Sequence, residues 1–253
     1  MIEVAEGVLV ATSRVMSTTS TVLCRDGEAL LVDPAWMPDE LDAIADELDA
    51  RGLRVIGGFA THAHHDHLLW HPRFGSAPRS ASEATAALAR DEREALVAAL
   101  GADFPAELAQ LMGRVDGTDA AIPPSSVPRG FAPELVVHDG HAPGHTAVWL
   151  REQRVLIAGD MLSDLELPLP FDPDDLPTYL AALDLLAPLA AQADVVIPGH
   201  GTPGSDAVRR LDADRRYLDD VVAGRRPDDP RLANPGMTEE YERLKVLVAT
   251  AGS

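Results

Sequence analysis

Residues 61–67 read Thr61-His62-Ala63-His64-His65-Asp66-His67, a dense run of imidazole and carboxylate donors directly after the apolar pair Phe59-Ala60. In an extended backbone, residues two apart point to the same side, so His62 and His64 can present imidazoles to one ion while His65 points elsewhere. Asp66 and His67 follow at once and cannot reach that ion without strain, so a second ion beside the first is expected. Imidazole and carboxylate suit zinc, iron, manganese or cobalt, whereas structural zinc sites draw more on thiolates. Cys24 is the only cysteine.

A histidine-rich surface loop would carry the same letters, but three later positions argue against it. His145 sits in Ala-Pro-Gly-His-Thr, Asp160 ends Val-Leu-Ile-Ala-Gly-Asp, and His200 ends Val-Val-Ile-Pro-Gly-His. Each places a metal-competent side chain where a short hydrophobic segment gives way to a glycine-containing loop. Buried strands of α/β proteins read as continuous apolar runs, and their ligands gather in loops beyond the carboxyl ends of the strands. The seven candidates then divide without remainder: His62, His64 and His145 on one ion, Asp66, His67 and His200 on the other, and Asp160 between them.

With these segments in order, plus Asp33 in Leu-Val-Asp-Pro, the chain resembles a metallo-β-lactamase-fold hydrolase over roughly residues 2–222. The resemblance implies a four-layer αββα sandwich with a dinuclear site at one edge and the ligand division just given. It implies for Asp33 an outer role, orienting ligands by hydrogen bonding, as metal-bound histidines require. A carboxylate bridge such as Asp160 is typical of the glyoxalase-type thioesterases and lactonases and absent from true β-lactamases, which disfavours hydrolysis of β-lactams. Acyl-homoserine lactonases usually carry a tyrosine three residues after the bridge; Ser163 stands there, which disfavours that subtype. Persulfide dioxygenases of the superfamily use one iron on the positions matching His62, His64 and Asp160 or His145, and remain the alternative. A non-catalytic metal-binding protein is a further one, made less attractive by the complete ligand set.

Two divalent ions can share a water, lower its pKa and hold the resulting hydroxide as a nucleophile near neutral pH. The expected activity is therefore hydrolysis of a small ester, lactone or thioester, with Asp66 and Asp160 as the catalytic carboxylates and two divalent ions as cofactors, zinc before iron or manganese. The formal charge of −20 argues against a nucleic-acid partner, whose phosphates need lysine and arginine. A small-molecule substrate is expected. No stretch has the length or apolarity of a membrane span, and the N-terminus lacks a basic region followed by an apolar one, so a cytoplasmic protein is expected. Oligomeric state is not legible.

A chain of 253 residues fits one large α/β domain, residues 1–253. Residues 2–33 read as a β-meander with a turn at Asp26-Gly27. Leu41, Ile44, Ala45 and Leu48 fall on one helical face, which Gly52 ends. Ser80 and Glu83 read as a capping box for a helix to about Leu100, stopped by Gly101. Residues 72–133, alanine-rich and then proline-rich, read as an insertion or lid over the site. Asp172-Pro173 opens another helix, Ser205 caps one ending near Gly224, and residues 238–250 form a C-terminal helix. His65, His71, His138 and His141 are left to surface, structural or substrate-bonding roles.

Overall fold

The computed structural model describes residues 1–170 and 176–251, so the Asp172-Pro173 helix start lies outside the described residues. The strands form two sheets. In the first, β1 (Ile2–Ala5), β2 (Val8–Thr12), β3 (Thr19–Arg25) and β4 (Glu28–Val32) run antiparallel in sequence order. Then β5 (Arg54–Phe59), β6 (Arg79–Ala81) and β7 (Asp116–Gly117) continue in parallel. Helix α1 (Pro38–Ala50) crosses between β4 and β5, and α2 (Glu83–Asp91), α3 (Arg93–Ala99) and α4 (Ala106–Ala109) lie between β6 and β7. The second sheet has β8 (Pro133–His138), β9 (His145–Leu150) and β10 (Val155–Gly159) antiparallel. After α5 (Leu176–Ala190), β11 (Val195–Pro198) adds parallel to β10, and α6 (Ala207–Val222) and α7 (Met237–Ala251) follow.

Strand parity builds the layers. Val8, Val10, Leu23, Leu30 and Val32 meet Val148, Leu150, Val155 and Ile157 between the sheets. Their alternates Leu9, Val22, Ala29 and Leu31 turn onto Leu41, Ile44 and Leu48 of α1. Ala147, Trp149, Leu156 and Ala158 turn onto Tyr179, Leu183 and Leu186 of α5 and Leu211 and Leu218 of α6. Both faces of the central strands are thus buried, giving the expected αββα order. Each fully buried leucine or valine contributes about 1.5–3 kcal/mol relative to exposure, so neither face can tolerate a register slip.

Local signals hold in part. Asp26 and Gly27, at φ of 52° and 79°, close the β3–β4 hairpin as a two-residue loop. Gly52 ends α1 in the left-handed region, with its N–H donating to Asp49 O. The cap of α2 is Ser82, which accepts from Thr85 N–H, because Ser80 is already paired in β6; the expected single helix breaks at Glu92 into α2 and α3. For α6 the N-cap is Asp206 rather than Ser205.

None of residues 72–133 is among the described residues lining the cavity over the candidate site. That segment supplies β6 and β7, and Phe74, Ala89, Leu108 and Met112 pack in the outer core of the first sheet. Apolar side chains so spaced are satisfied by that sheet and have no reason to project over the loops. The cavity over the candidate site is lined instead from residues 234–240, at the start of α7. No helix among the described residues is long and apolar enough to cross a membrane.

Candidate metal centre

The chemistry-bearing side chains converge at one edge of the sandwich. His62, His64, Asp66 and His67 lie in the turn-rich loop after β5, Asp160 directly follows β10, and His200 follows β11. The 61–67 loop is bent rather than extended, yet it aims its side chains as the spacing predicted. Two groups result: His62, His64, His141 and Asp160, and Asp66, His67 and His200. Asp160 and His200 also meet Glu166.

Donor spacings within each group suit a common ion. His64 Nδ1 lies 2.9 Å from His62 Nε2 and 3.2 Å from His141 Nε2, and Asp160 Oδ2 lies 3.4 and 3.3 Å from those two Nε2 atoms. In the other group, His67 Nε2 and His200 Nε2 are 3.3 Å apart, and Asp66 Oδ2 is 3.4 and 3.3 Å from them. Bonds of about 2.0–2.1 Å from zinc to nitrogen put tetrahedral donors about 3.4 Å apart and right-angled ones about 3.0 Å apart. Asp160 Oδ1 is buried with no hydrogen-bond partner although His67 Nε2 is 3.3 Å away, an orphaned acceptor of the kind a cation satisfies. The residues therefore fit metal binding.

One member differs from the sequence expectation. His145, expected beside His62 and His64, stays out of the group: it is the first residue of β9, its Nε2 accepts from Asp160 N–H at 3.0 Å, and its Nδ1 faces His138 Nε2 at 3.3 Å. Its place is taken by His141, in the loop between β8 and β9, which the sequence reading had left aside. A signal was available: His145-Thr-Ala-Val-Trp-Leu is itself a strand run, whereas the other candidates all lie in loops. His65 does point away, its ring edge-on to Trp36 at 5.0 Å.

Four of the inward imidazoles, His62, His67, His141 and His200, are fixed by outer hydrogen bonds. Asp33 accepts at Oδ1 from Thr61 N–H (2.8 Å) and at Oδ2 from Thr61 Oγ1 (2.7 Å) and His67 Nδ1 (3.0 Å). Since the Thr61 hydroxyl proton goes to Asp33, its oxygen accepts from His62 Nδ1 at 3.0 Å. One carboxylate thus orients two histidines, the role the resemblance implied. His141 Nδ1 donates to Leu169 O at 2.9 Å and His200 Nδ1 to Met16 O at 3.1 Å, while Thr18 Oγ1 donates to Asp66 Oδ2 at 3.1 Å. Thr61, Thr18 and these carbonyl partners were not singled out from the sequence. Such outer bonds fix tautomer and ring direction. Ser163, where a tyrosine was looked for, donates to His200 O at 2.6 Å.

Close packing leaves the site little freedom. A Cβ on Gly199 would run into Asp160 Oδ1, and one on Gly159, at φ of 56°, into the His145 ring. Leu68, Leu69 and Trp70 leave the site for the outer core.

The two groups differ in charge. Burial holds His62 well below its ordinary value and brings His64 down to about 3, so both are neutral. Burial acts likewise on His67 and His200, but Asp160 and Asp66 outweigh it, helped by Asp33 at His67 and by Glu166 at His200. His67 is held well above its ordinary value and His200 is raised to about 9. For Asp66 and Asp160 burial is outweighed by those imidazoliums, and both stay below the ordinary carboxylate range. Without an ion, the carboxylates favour the protonated form of both imidazoles, as expected of a cradle that calls for positive charge. Burial pushes the Glu166 carboxyl up to about 7.

Comparison with known proteins agrees with this architecture. A metallo-β-lactamase family protein from Thermus thermophilus is 23% identical, with a TM-score of 0.65, over 87% of this chain and 83% of its own. A β-lactamase domain protein from Burkholderia ambifaria is 20% identical, with a TM-score of 0.67, over 88% and 75%. TTHA1623, solved in a di-iron-bound form, is 21% identical, with a TM-score of 0.61, over 79% and 96%. The sequence profile of the metallo-beta-lactamase superfamily matches residues 13–200, which run from the loop before β3 to the last histidine of the cluster. On that match, the chain belongs to the metallo-beta-lactamase superfamily.

Proposed function

We propose that the protein hydrolyses small carboxylic esters, lactones or thioesters with two divalent ions, zinc first among the candidates. The observation that carries this reading is the Asp160 carboxylate, whose Oδ2 faces His62 and His141 and whose Oδ1 faces His67, so that it reaches both groups at once. His62, His64 and His141 would hold one ion, Asp66, His67 and His200 the other, with Asp160 between them. Two such ions supply Lewis-acid polarisation of a carbonyl and an activated water near neutral pH.

The chain's own residues set the conditions for that chemistry. Asp33, through Thr61 and directly, holds the His62 and His67 rings so that no reorganisation is needed when charge develops. Thr18 holds Asp66. Leu169 and Met237 border the cavity, and a substrate seated against them would displace water from it, which strengthens electrostatic interactions inside. The net charge of −20 supports a small-molecule substrate over a nucleic acid.

The test is metal analysis of the purified protein alongside panels of esters, lactones and thioesters. About two ions per chain are expected, with turnover abolished by chelation and restored by zinc. Fewer than one ion per chain, or oxygen consumption with a persulfide by an iron-loaded chain, would replace this reading.

A further inference from the structure

We propose that the site takes substrates with an uncharged, apolar acyl tail and rejects those whose tail ends in an anion, and that residues 234–240 are the wall that makes this choice. The inference rests on the hydrolase reading above and adds its substrate class.

The cavity opening onto the candidate metal centre has a volume of about 800 Å³, within the range that encloses most of a drug-sized ligand. Besides the histidines and carboxylates, its lining includes the apolar side chains of Met16, Leu165, Leu169, Pro235 and Met237. Among the described lining residues the carboxylates are Asp66, Asp160 and Glu166 beside the histidines and Glu240 in the first turn of α7. No lysine or arginine is among the described lining residues. The nearby arginines are engaged with carboxylates: Arg231 with Asp214 at 2.6 Å and Asp229 at 2.8 Å, and Arg243 with Glu240 at 2.9 Å.

Bound ions would neutralise the carboxylates beside the histidines but not Glu240. A substrate carboxylate or phosphate distal to the scissile bond would lie against Leu165, Leu169 and Met237 beside Glu240, whose Arg243 partner at 2.9 Å is already engaged, with no lysine or arginine among the described lining residues to pair it, which is costly. An aliphatic or aryl tail would instead gain from burial against the leucines and methionines.

This wall is fixed in place. Asn234 Nδ2 donates to Leu165 O at 2.7 Å, Leu167 N–H donates to Met237 Sδ at 3.2 Å, and Arg231 donates to Ser163 O and Glu166 O at 3.0 Å each. The superfamily match ends at residue 200. The centre therefore comes from the shared part of the chain, and much of the cavity wall from a segment beyond it.

The experiment uses the metal-loaded full chain and three phenyl esters of equal length: octanoate, the same ester ending in an ammonium, and the same ester ending in a carboxylate. The expected order in kcat/KM is methyl, ammonium, carboxylate, with the last about tenfold or more below the first, a difference of about 1.4 kcal/mol. Glu240→Lys should narrow the methyl-to-carboxylate ratio by about tenfold, with Glu240→Gln as the milder variant should the lysine disturb folding. Equal or faster hydrolysis of the carboxylate ester overturns the proposal, as does an ammonium ester as poor as the carboxylate one. If no ester turns over with two ions bound, the hydrolase reading fails, and calorimetry with octanamide and its carboxylate-ended analogue decides the wall separately. Tighter binding of octanamide supports it, and equal binding overturns it.

Discussion

The two halves of the candidate centre reach the same donor spacing from opposite electrostatic starting points. His62, His64 and His141 surround one position with imidazoles of which His62 and His64 are held neutral by burial, while Asp66, His67 and His200 surround the other with a carboxylate and two imidazoles that keep their protons. In the first half His62 and His64 have no proton to give up to an ion; in the second both imidazoles do, so occupancy there is tied to pH more steeply.

The sharpest break of this comparison is Asp160→Asn, which removes the charge shared by both halves. Loss of one such electrostatic group costs about 10²–10³-fold in turnover, and we expect at least this with reduced metal content; wild-type rates would contradict the shared role. His141→Ala should empty the neutral half and lower metal content from about two ions toward one. His145→Ala should keep both ions, because that ring accepts from the Asp160 main chain instead. Metal content falling for His145→Ala and not for His141→Ala would reverse the assignment.

Titration separates the halves further. Because His67 and His200 must deprotonate, affinity for the second ion should rise with pH by up to about a hundredfold per unit, about tenfold for each proton released. The first ion should show a shallower slope, because His62 and His64 have no proton to release. The sign for stability follows from the same shift. His200 is raised above its unfolded value, so its contribution in the metal-free chain is full below about pH 6.5 and is lost as pH rises through about 9. Melting of the stripped protein across that window, against the loaded protein, measures it; equal pH dependence would dissolve the contrast.

Smaller effects come from the outer bonds. Asp33→Asn should weaken metal binding by about 10–100-fold, mostly at the charged half through His67. Thr61→Val removes the acceptor of His62 and one donor to Asp33 while leaving the Asp33–His67 bond, and should lie near the low end, about tenfold, mainly at the half that holds His62. Separate titrations of the two ions distinguish them.

Much of this was legible in the sequence, because strand parity and ligand position are local. Val-Leu-Ile-Ala-Gly-Asp names both a strand buried on two faces and the carboxylate at its end, and β10 and Asp160 are where those letters put them. The meander and α1 follow from period alone. His141 was missed because two histidines four apart straddle a loop and a strand start, and only the fold decides which one turns inward. Ser80 was taken for Ser82 because pairing of β6 outweighs a capping pattern two residues away. Residues 72–133 extend the first sheet, a non-local event no local pattern announces, and part of the cavity wall comes from residues 234–240, distant in sequence from every candidate ligand.

Each group draws on both sheets. His62 and His64 follow β5 of the first sheet while His141 and Asp160 follow β8 and β10 of the second; Asp66 and His67 belong to the first and His200 to the second. An ion in either place would act as a rivet through the sandwich, and pulling the sheets apart would require breaking its bonds first. Cofactor loading would then slow unfolding itself, making lifetime against proteolysis a gauge of occupancy that needs no substrate.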